Sequence, residues 1–559
     1  MHFSGHSRRR AELGCPRSSC SSRARRFTPA LSLAGSLSLF PCFHCVVVVL
    51  SPSSCVLSET AMKCSSRLRL AGLVCRRRLH SLALPIHSTA HMASPDSLER
   101  QAKLETGPLL PLLPPKPLTR SLPPLPPRPA NAASIHAGWT CERHVFPAAF
   151  PRSYPNSTKR PDEPKTNPAE PAPGAKRANP KEALAKLLQP QLDGFRRPVR
   201  LDDEVELARQ EQLVIAANRY RPERQRTNDG PGLTLVFSHA NGFYKEVWEP
   251  ALSSVLAQLE ANDRSLPIDE IWALDCINQG DSAVLNDDVL GDVFNWADHG
   301  RDLLNFVINY VDSTSIAAAS TLLKPVSDVP SDLLQLDNAP VLPPGPPSPA
   351  SRSYRKKLIV AIGHSLGGGA TAYAASACPS IFSSVIFVDP VLPRPNYEGR
   401  SMEALTTGAL MRREKWKSRE EALDGFLKKP FFTVWDRRVL DGYVDYGMKE
   451  VEDGVALKCT AKSEALTFMD PMAVASRRAC ARLSLIPPSL PAHFIFADEG
   501  RSVLQEDWIK YIQKGAIPHS TASRVAAGHL VVHEKPDETA SRIVDFLEKT
   551  YPRQKRARL

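Results

Sequence analysis

From Leu233 onward, short runs of β-branched and aromatic residues alternate with stretches in which apolar residues recur every three to four positions. The runs Leu233–Ser238, Glu270–Leu274, Lys357–Ile362, Ser384–Val388 and His493–Ala497 read as strands. Their apolar character is nearly continuous, as in strands buried on both faces. Val247–Leu259 and Asp298–Tyr310 carry amphipathic helical patterns, and so do Ser401–Arg412 and Arg419–Phe426. After Pro536, Ala540, Ile543, Val544 and Leu547 fall on one face of a closing helix. Such alternation predicts an α/β fold, a mostly parallel central sheet flanked by helices on both faces. The stretch between Val388 and His493 is too long for a plain connection. It is expected to form a helical cap, 391–490, inserted before the penultimate strand.

Proline marks what lies outside this pattern. The chain holds 51 prolines in 559 residues, clustered between Pro108 and Pro190 and again between Pro325 and Pro349. Residues 96–194 therefore read as a disordered, polyproline-prone linker, and 313–356 as a disordered surface insertion. The α/β domain is expected over 195–559, long enough for one large core.

Charge is localised too. Of the formal +12, residues 1–95 supply most, with thirteen Lys or Arg against Glu12 and Glu59. The rest of the chain is close to neutral, so no nucleic-acid partner is expected. This Cys/Ser/Arg-rich extension reads as a targeting segment, or as sequence ahead of a true start at Met62 or Met92. Its one apolar run, Leu31–Leu50, is diluted by Pro41, His44 and serines, and no stable membrane span is expected. Cys141, Cys276, Cys378, Cys459 and Cys480 are too scattered for a disulfide framework or a zinc site, and neither metal nor cofactor is expected.

The candidate chemistry centres on Leu358-Ile359-Val360-Ala361-Ile362-Gly363-His364-Ser365-Leu366-Gly367, a strand running into G-x-S-x-G and then a small-residue helix. This order places a serine in a tight turn at the C-terminal edge of the sheet, with a helix N-terminus aimed at the site. No Gly-Lys-Ser/Thr follows, so a phosphate-binding loop is excluded. Upstream, Phe237-Ser238-His239-Ala240-Asn241-Gly242 ends the first strand in a turn suited to a second oxyanion donor. The expected donors are the N–H groups of Asn241 and Leu366. Leu274-Asp275-Cys276-Ile277-Asn278-Gln279-Gly280-Asp281-Ser282 reads as a structural turn. A serine nucleophile needs a base, and His529, in a loop just ahead of the closing helix, fits the order Ser…acid…His, with His533 as a decoy. The acid is open between Asp389, which ends a strand, and Asp498 in the turn after the next strand, with Glu499 a third choice.

In this order, these residues resemble the α/β-hydrolase superfamily, and within it the fungal peroxisomal lipase-like hydrolases and related toxin-biosynthesis proteins. The nearer likeness rests on His239-Ala240-Asn241-Gly242-Phe243-Tyr244-Lys245-Glu246, on Arg412-Arg413-Glu414-Lys415-Trp416 and on Trp435-Asp436-Arg437-Arg438. It covers about 200–550. The resemblance implies a serine hydrolase cleaving a small apolar ester through Ser365, His529 and either carboxylate. A thioesterase or C–C bond hydrolase would use the same groups, and a catalytically silent binding protein would keep the fold alone. Ala557-Arg558-Leu559 has the form of a peroxisomal address, which implies an import receptor as partner and a peroxisomal location, while the acid-poor N-terminal extension leaves a mitochondrial or cytoplasmic location as the alternative.

Overall fold

A computed structural model describes residues 107–129, 134–161, 179–224, 232–261, 266–311, 357–394 and 400–551. All belong to the unit His44–Leu559. The extension 1–95, the insertion 313–356 and the Ala557–Leu559 tripeptide lie outside the described residues.

The strands are β1 (Trp139–Pro147), β2 (Val214–Pro222), β3 (Leu233–Ser238), β4 (Ile268–Leu274), β5 (Leu358–His364), β6 (Ser384–Val388), β7 (Lys415–Trp416), β8 (Met448–Val451), β9 (Gly454–Leu457), β10 (Ala492–Phe496) and β11 (Thr521–Arg524). Eight of them form one sheet in the order β1-β2-β4-β3-β5-β6-β10-β11. From β4 to β11 neighbours pair in parallel, while β2 runs antiparallel to both β4 and β1. The apolar runs of β3, β5 and β6 occupy its centre, where both faces are covered.

The helix Leu366–Ala377 is buried along its whole length because its residues are small. It packs against Trp296–Asn309, where a Cβ on Gly300 would stand 2.4 Å from Tyr373. On the other face, Glu249–Ala261 packs against the closing helix Pro536–Thr550, whose Ala540, Ile543, Val544 and Leu547 are buried as their spacing predicts. The cap is inserted between β6 and β10. It is not purely helical, since β7, β9 and β8 form a three-stranded antiparallel sheet within it.

One expectation needs correction. The stretch 96–194 is not a linker throughout. Trp139–Pro147 forms β1, paired with β2 over its full length from Trp139↔Pro222 to Pro147↔Val214. Phe146 is fully buried, against Phe306 and Tyr310 at ring-centre distances of 4.9 and 5.4 Å. Pro180–Arg196 is a helix, capped by the Asn179 side chain and started by a proline whose missing N–H costs nothing there. Prolines border both elements and hid them.

The remaining proline-rich piece, 107–129, is laid against the sheet-and-helix core. Leu109 and Leu112 are buried. A polyproline-like stretch makes no hydrogen bonds within itself, and side-chain donors take several of its carbonyls. Arg301 donates to Leu110 O (2.7 Å) and Pro111 O (2.9 Å), Arg482 to Gly107 O (2.8 Å), and Arg478 to Pro108 O (2.7 Å). Further along, Arg128 pairs with Glu249 at 2.9 Å and bonds Tyr446 of the cap at 3.1 Å.

Candidate active site

β5 delivers Ser365 at its C-terminal end, at φ 55° and ψ −112°, just before the helix Leu366–Ala377. Such a positive φ is strained for a residue bearing a Cβ. The turn holds it in place: Ser365 N donates to Val388 O at 3.0 Å, and Ser365 O accepts from Val391 N at 3.1 Å. The flanking glycines are obligatory. A Cβ on Gly363 would lie 2.1 Å from Gly367 O, and one on Gly367 would lie 2.4 Å from Ser238 O. Leu366 is the first residue of the helix, so its N–H is among those with no partner inside the helix.

His529 Nε2 stands 2.9 Å from Ser365 Oγ, and its Nδ1 stands 2.6 Å from Asp389 Oδ2. Asp389 directly follows β6, with φ 34°, and is wholly buried. Its oxygens accept from Ala497 N (3.0 Å), Ser502 Oγ (2.7 Å) and Val503 N (3.2 Å) as well as from His529. Burial alone would raise this carboxyl. The hydrogen bond and charge of His529, with the Ala497 and Ser502 donors, outweigh burial and hold it below the ordinary carboxylate value. Behind them, burial and then the neighbouring His529 ring push His364 down to about 3. Neutral His364 therefore donates from Nε2 to His529 O at 2.9 Å and fixes the loop that carries His529.

Asp498 does not join this chain. It is exposed and accepts from Glu499 N at 2.9 Å, while its own N–H donates to Ala527 O. Glu499 is exposed in the same turn. The reason is strand order: β6 lies next to β5, so Asp389, just past its end, abuts the serine turn, whereas the loop after β10 reaches Asp389 through Ala497, Ser502 and Val503 and leaves Asp498 exposed. His533 is buried among Phe243, Trp435 and His364 and does not reach Ser365.

Asn241 lies in the turn after β3. Its side chain is held at both ends, Oδ1 accepting from Gln279 Nε2 (2.6 Å) and Nδ2 donating to Glu464 O of the cap (3.2 Å). Next to it, Lys245 Nζ sits within 3.0 Å of Asp275 and Glu246 and 2.7 Å from Asp281. Lys458 of the cap reaches Asp281 at 2.6 Å. Burial raises Asp275 despite Lys245, whereas the two lysines lower Asp281 despite burial. This buried ionic network was not legible in the sequence, where its members are spread from 245 to 458.

The cap aromatics Phe431, Phe432, Trp435 and Tyr443 pack on one another and on Phe243 of the turn after β3. Among the described residues, no group of His, Cys, Asp and Glu is arranged to hold a metal ion, and no helix is long and apolar enough to cross a membrane.

Comparison with known proteins places this chain among relatives. The alpha/beta hydrolase family matches residues 235–542. A type I acyl-CoA thioesterase of Penicillium brevicompactum is 25% identical over 217 residues, 38% of this chain and 40% of that protein. A peroxisomal membrane protein of Saccharomyces cerevisiae, LPX1, is 32% identical over 185 residues, 32% of this chain and 35% of that protein. These matches span about two fifths or less of those relatives. Among solved structures, the peroxisomal alpha-beta-hydrolase Lpx1 of Saccharomyces cerevisiae aligns with a TM-score of 0.50 and 20% identity, over 76% of this chain and 94% of that one.

Proposed function

Because the chain belongs to the alpha/beta hydrolase family, we propose that it is a serine hydrolase cleaving carboxylic esters of apolar acyl groups. The observation that carries this reading is the continuous hydrogen-bonded series Ser365–His529–Asp389. In this mechanism Ser365 Oγ attacks the ester carbonyl carbon and its proton passes to His529 Nε2. Asp389 keeps the Nδ1–H tautomer in place and stabilises the imidazolium. The N–H groups of Leu366 and Asn241 receive the negative charge developing on the carbonyl oxygen. Collapse expels the alcohol, which takes the proton back from His529, and water then hydrolyses the acyl-enzyme by the same steps. The aromatic cap cluster beside the turn after β3 supports an apolar acyl group.

A thioester is the second reading, favoured by the relatives named as acyl-CoA thioesterases. The same groups serve, with a thiolate leaving. A peroxisomal location is likewise proposed, because the yeast relative Lpx1 is a peroxisomal protein.

The test is fluorophosphonate labelling of the full chain, wild type against Ser365→Ala, followed by p-nitrophenyl ester and acyl-CoA hydrolysis. Labelling confined to the wild type is expected. A folded wild type that neither labels nor turns over would sink the proposal and favour a silent binding protein.

A further inference from the structure

Gln279 lies in the turn after β4, and its fully buried side chain makes three hydrogen bonds that bear on the site. Its Oε1 accepts from Gly242 N at 2.9 Å, and its Nε2 donates to Asn241 Oδ1 at 2.6 Å. The same Nε2 lies 3.3 Å from Thr467 Oγ1 in the cap helix Ala461–Phe468. One carboxamide thus grips two consecutive residues of the turn after β3 and ties them to the cap. Gly242 has φ 85°, a conformation glycine adopts without strain, so its own backbone leaves the turn free to move and the Gln279 bonds supply the restraint.

We propose that Gln279 is a positioning residue for the oxyanion turn, setting the direction of the Asn241 N–H and coupling it to cap docking. This rests on the reading above, in which that N–H stabilises the transition state. The chemistry asks for a primary amide here. Gly242 N–H needs an acceptor and Asn241 Oδ1 needs a donor, and Gln supplies both from one planar group. Asn278, its neighbour, serves as an internal control. Its Nδ2 donates to Ser463 O (3.1 Å) and Thr467 Oγ1 (2.9 Å), so it binds the cap without touching Asn241 or Gly242.

The experiment compares full-length wild type, Gln279→Met, Gln279→Glu, Asn278→Ala and Ser365→Ala in p-nitrophenyl butyrate hydrolysis. It also measures inhibition by an alkyl trifluoromethyl ketone, which forms a tetrahedral adduct with an active serine. Gln279→Met is expected to lower kcat by about 10²-fold with KM within about threefold, as when a transition-state group is misplaced. The ketone Ki should rise in step with the fall in kcat/KM. Asn278→Ala should lower the melting temperature and leave kcat within about threefold.

Gln279→Glu tests the hydrogen-bond pattern itself and backs up the Met variant if that one folds poorly. An ionised carboxylate would face Asn241 Oδ1 without a donor, whereas the protonated acid restores one. Its kcat relative to wild type should therefore rise as pH falls. The inference is overturned if folded Gln279→Met keeps kcat within threefold, if Asn278→Ala loses as much, or if the Glu variant's relative activity does not depend on pH. Hydrolysis that persists in Ser365→Ala would instead refute the serine-hydrolase reading, whatever Gln279 does.

Discussion

A fragment beginning at residue 195 retains every sequence motif of the site and, from the structure, should nonetheless fail to fold. It lacks β1, the helix Pro180–Arg196 and the segment 107–129. The apolar side chains removed include Leu109, Leu112, Val145, Phe146, Phe150 and Leu187, each at most 9% exposed. At roughly 1.5–3 kcal/mol for each large buried side chain, their loss costs about 9–18 kcal/mol. Arg152 goes with them, stripping Asp302 of its 2.6 Å partner and leaving a buried carboxylate, a further ~3–5 kcal/mol. Domains are typically stable by only about 5–15 kcal/mol. The chain 107–559, by contrast, keeps all of these side chains. The assay is circular dichroism melting and gel filtration of the full chain, 107–559 and 195–559. A cooperative melt is expected for the first two and aggregation or no transition for the third. A monomeric 195–559 melting within a few degrees of the full chain would refute this account of the N-terminal segment.

The site makes further claims. Asp389→Asn should lower kcat by about 10⁴-fold through loss of the correct imidazole tautomer, while Asp498→Asn stays within about twofold in the same ester assay. Because the folded-state value of Asp389 is depressed, its contribution to stability is complete above about pH 4 and is lost as pH falls through the lower folded value. Acid unfolding followed by tryptophan fluorescence should accordingly be less steep below pH ~4 in Asp389→Asn than in wild type. Gly367→Ala drives a Cβ to 2.4 Å from Ser238 O, and at least about 2 kcal/mol of lost stability with abolished fluorophosphonate labelling is expected. Lys458→Met leaves Asp281 buried with Lys245 alone, which should cost about 3–5 kcal/mol in urea unfolding; a change under 1 kcal/mol would mean the network is not closed as described.

What the chain determines by itself is what depends on neighbours in sequence. Apolar runs of five to seven residues specify β3, β5 and β6, and the helical spacing of Ala540, Ile543, Val544 and Leu547 specifies the closing helix. The pair Gly363 and Gly367 specifies the serine turn, because the close contacts that exclude a Cβ arise within that turn and with the strand beside it. Strands bordered by proline fell below that signal. β1 becomes recognisable only through its pairing with β2, some 75 residues away.

Contacts between distant residues belong to the tertiary structure alone. His529 meets Asp389 across 140 residues of chain because the sheet order β6-β10-β11 brings the loop after β11 to the end of β6, and no local pattern separates Asp389 from Asp498. The proline-rich segment 107–129 looked free of structure because polyproline has no internal hydrogen bonds. Arg301, Arg478 and Arg482 supply the missing donors from positions 190 to 375 residues further on. Gln279 is hidden for the same reason: its partners Asn241, Gly242 and Thr467 converge only once strand order brings the turns after β3 and β4 under the cap. Local spacing carries the periodicity of single elements, whereas the choice among chemically equivalent side chains is made by sheet order, which the sequence encodes only through the whole fold.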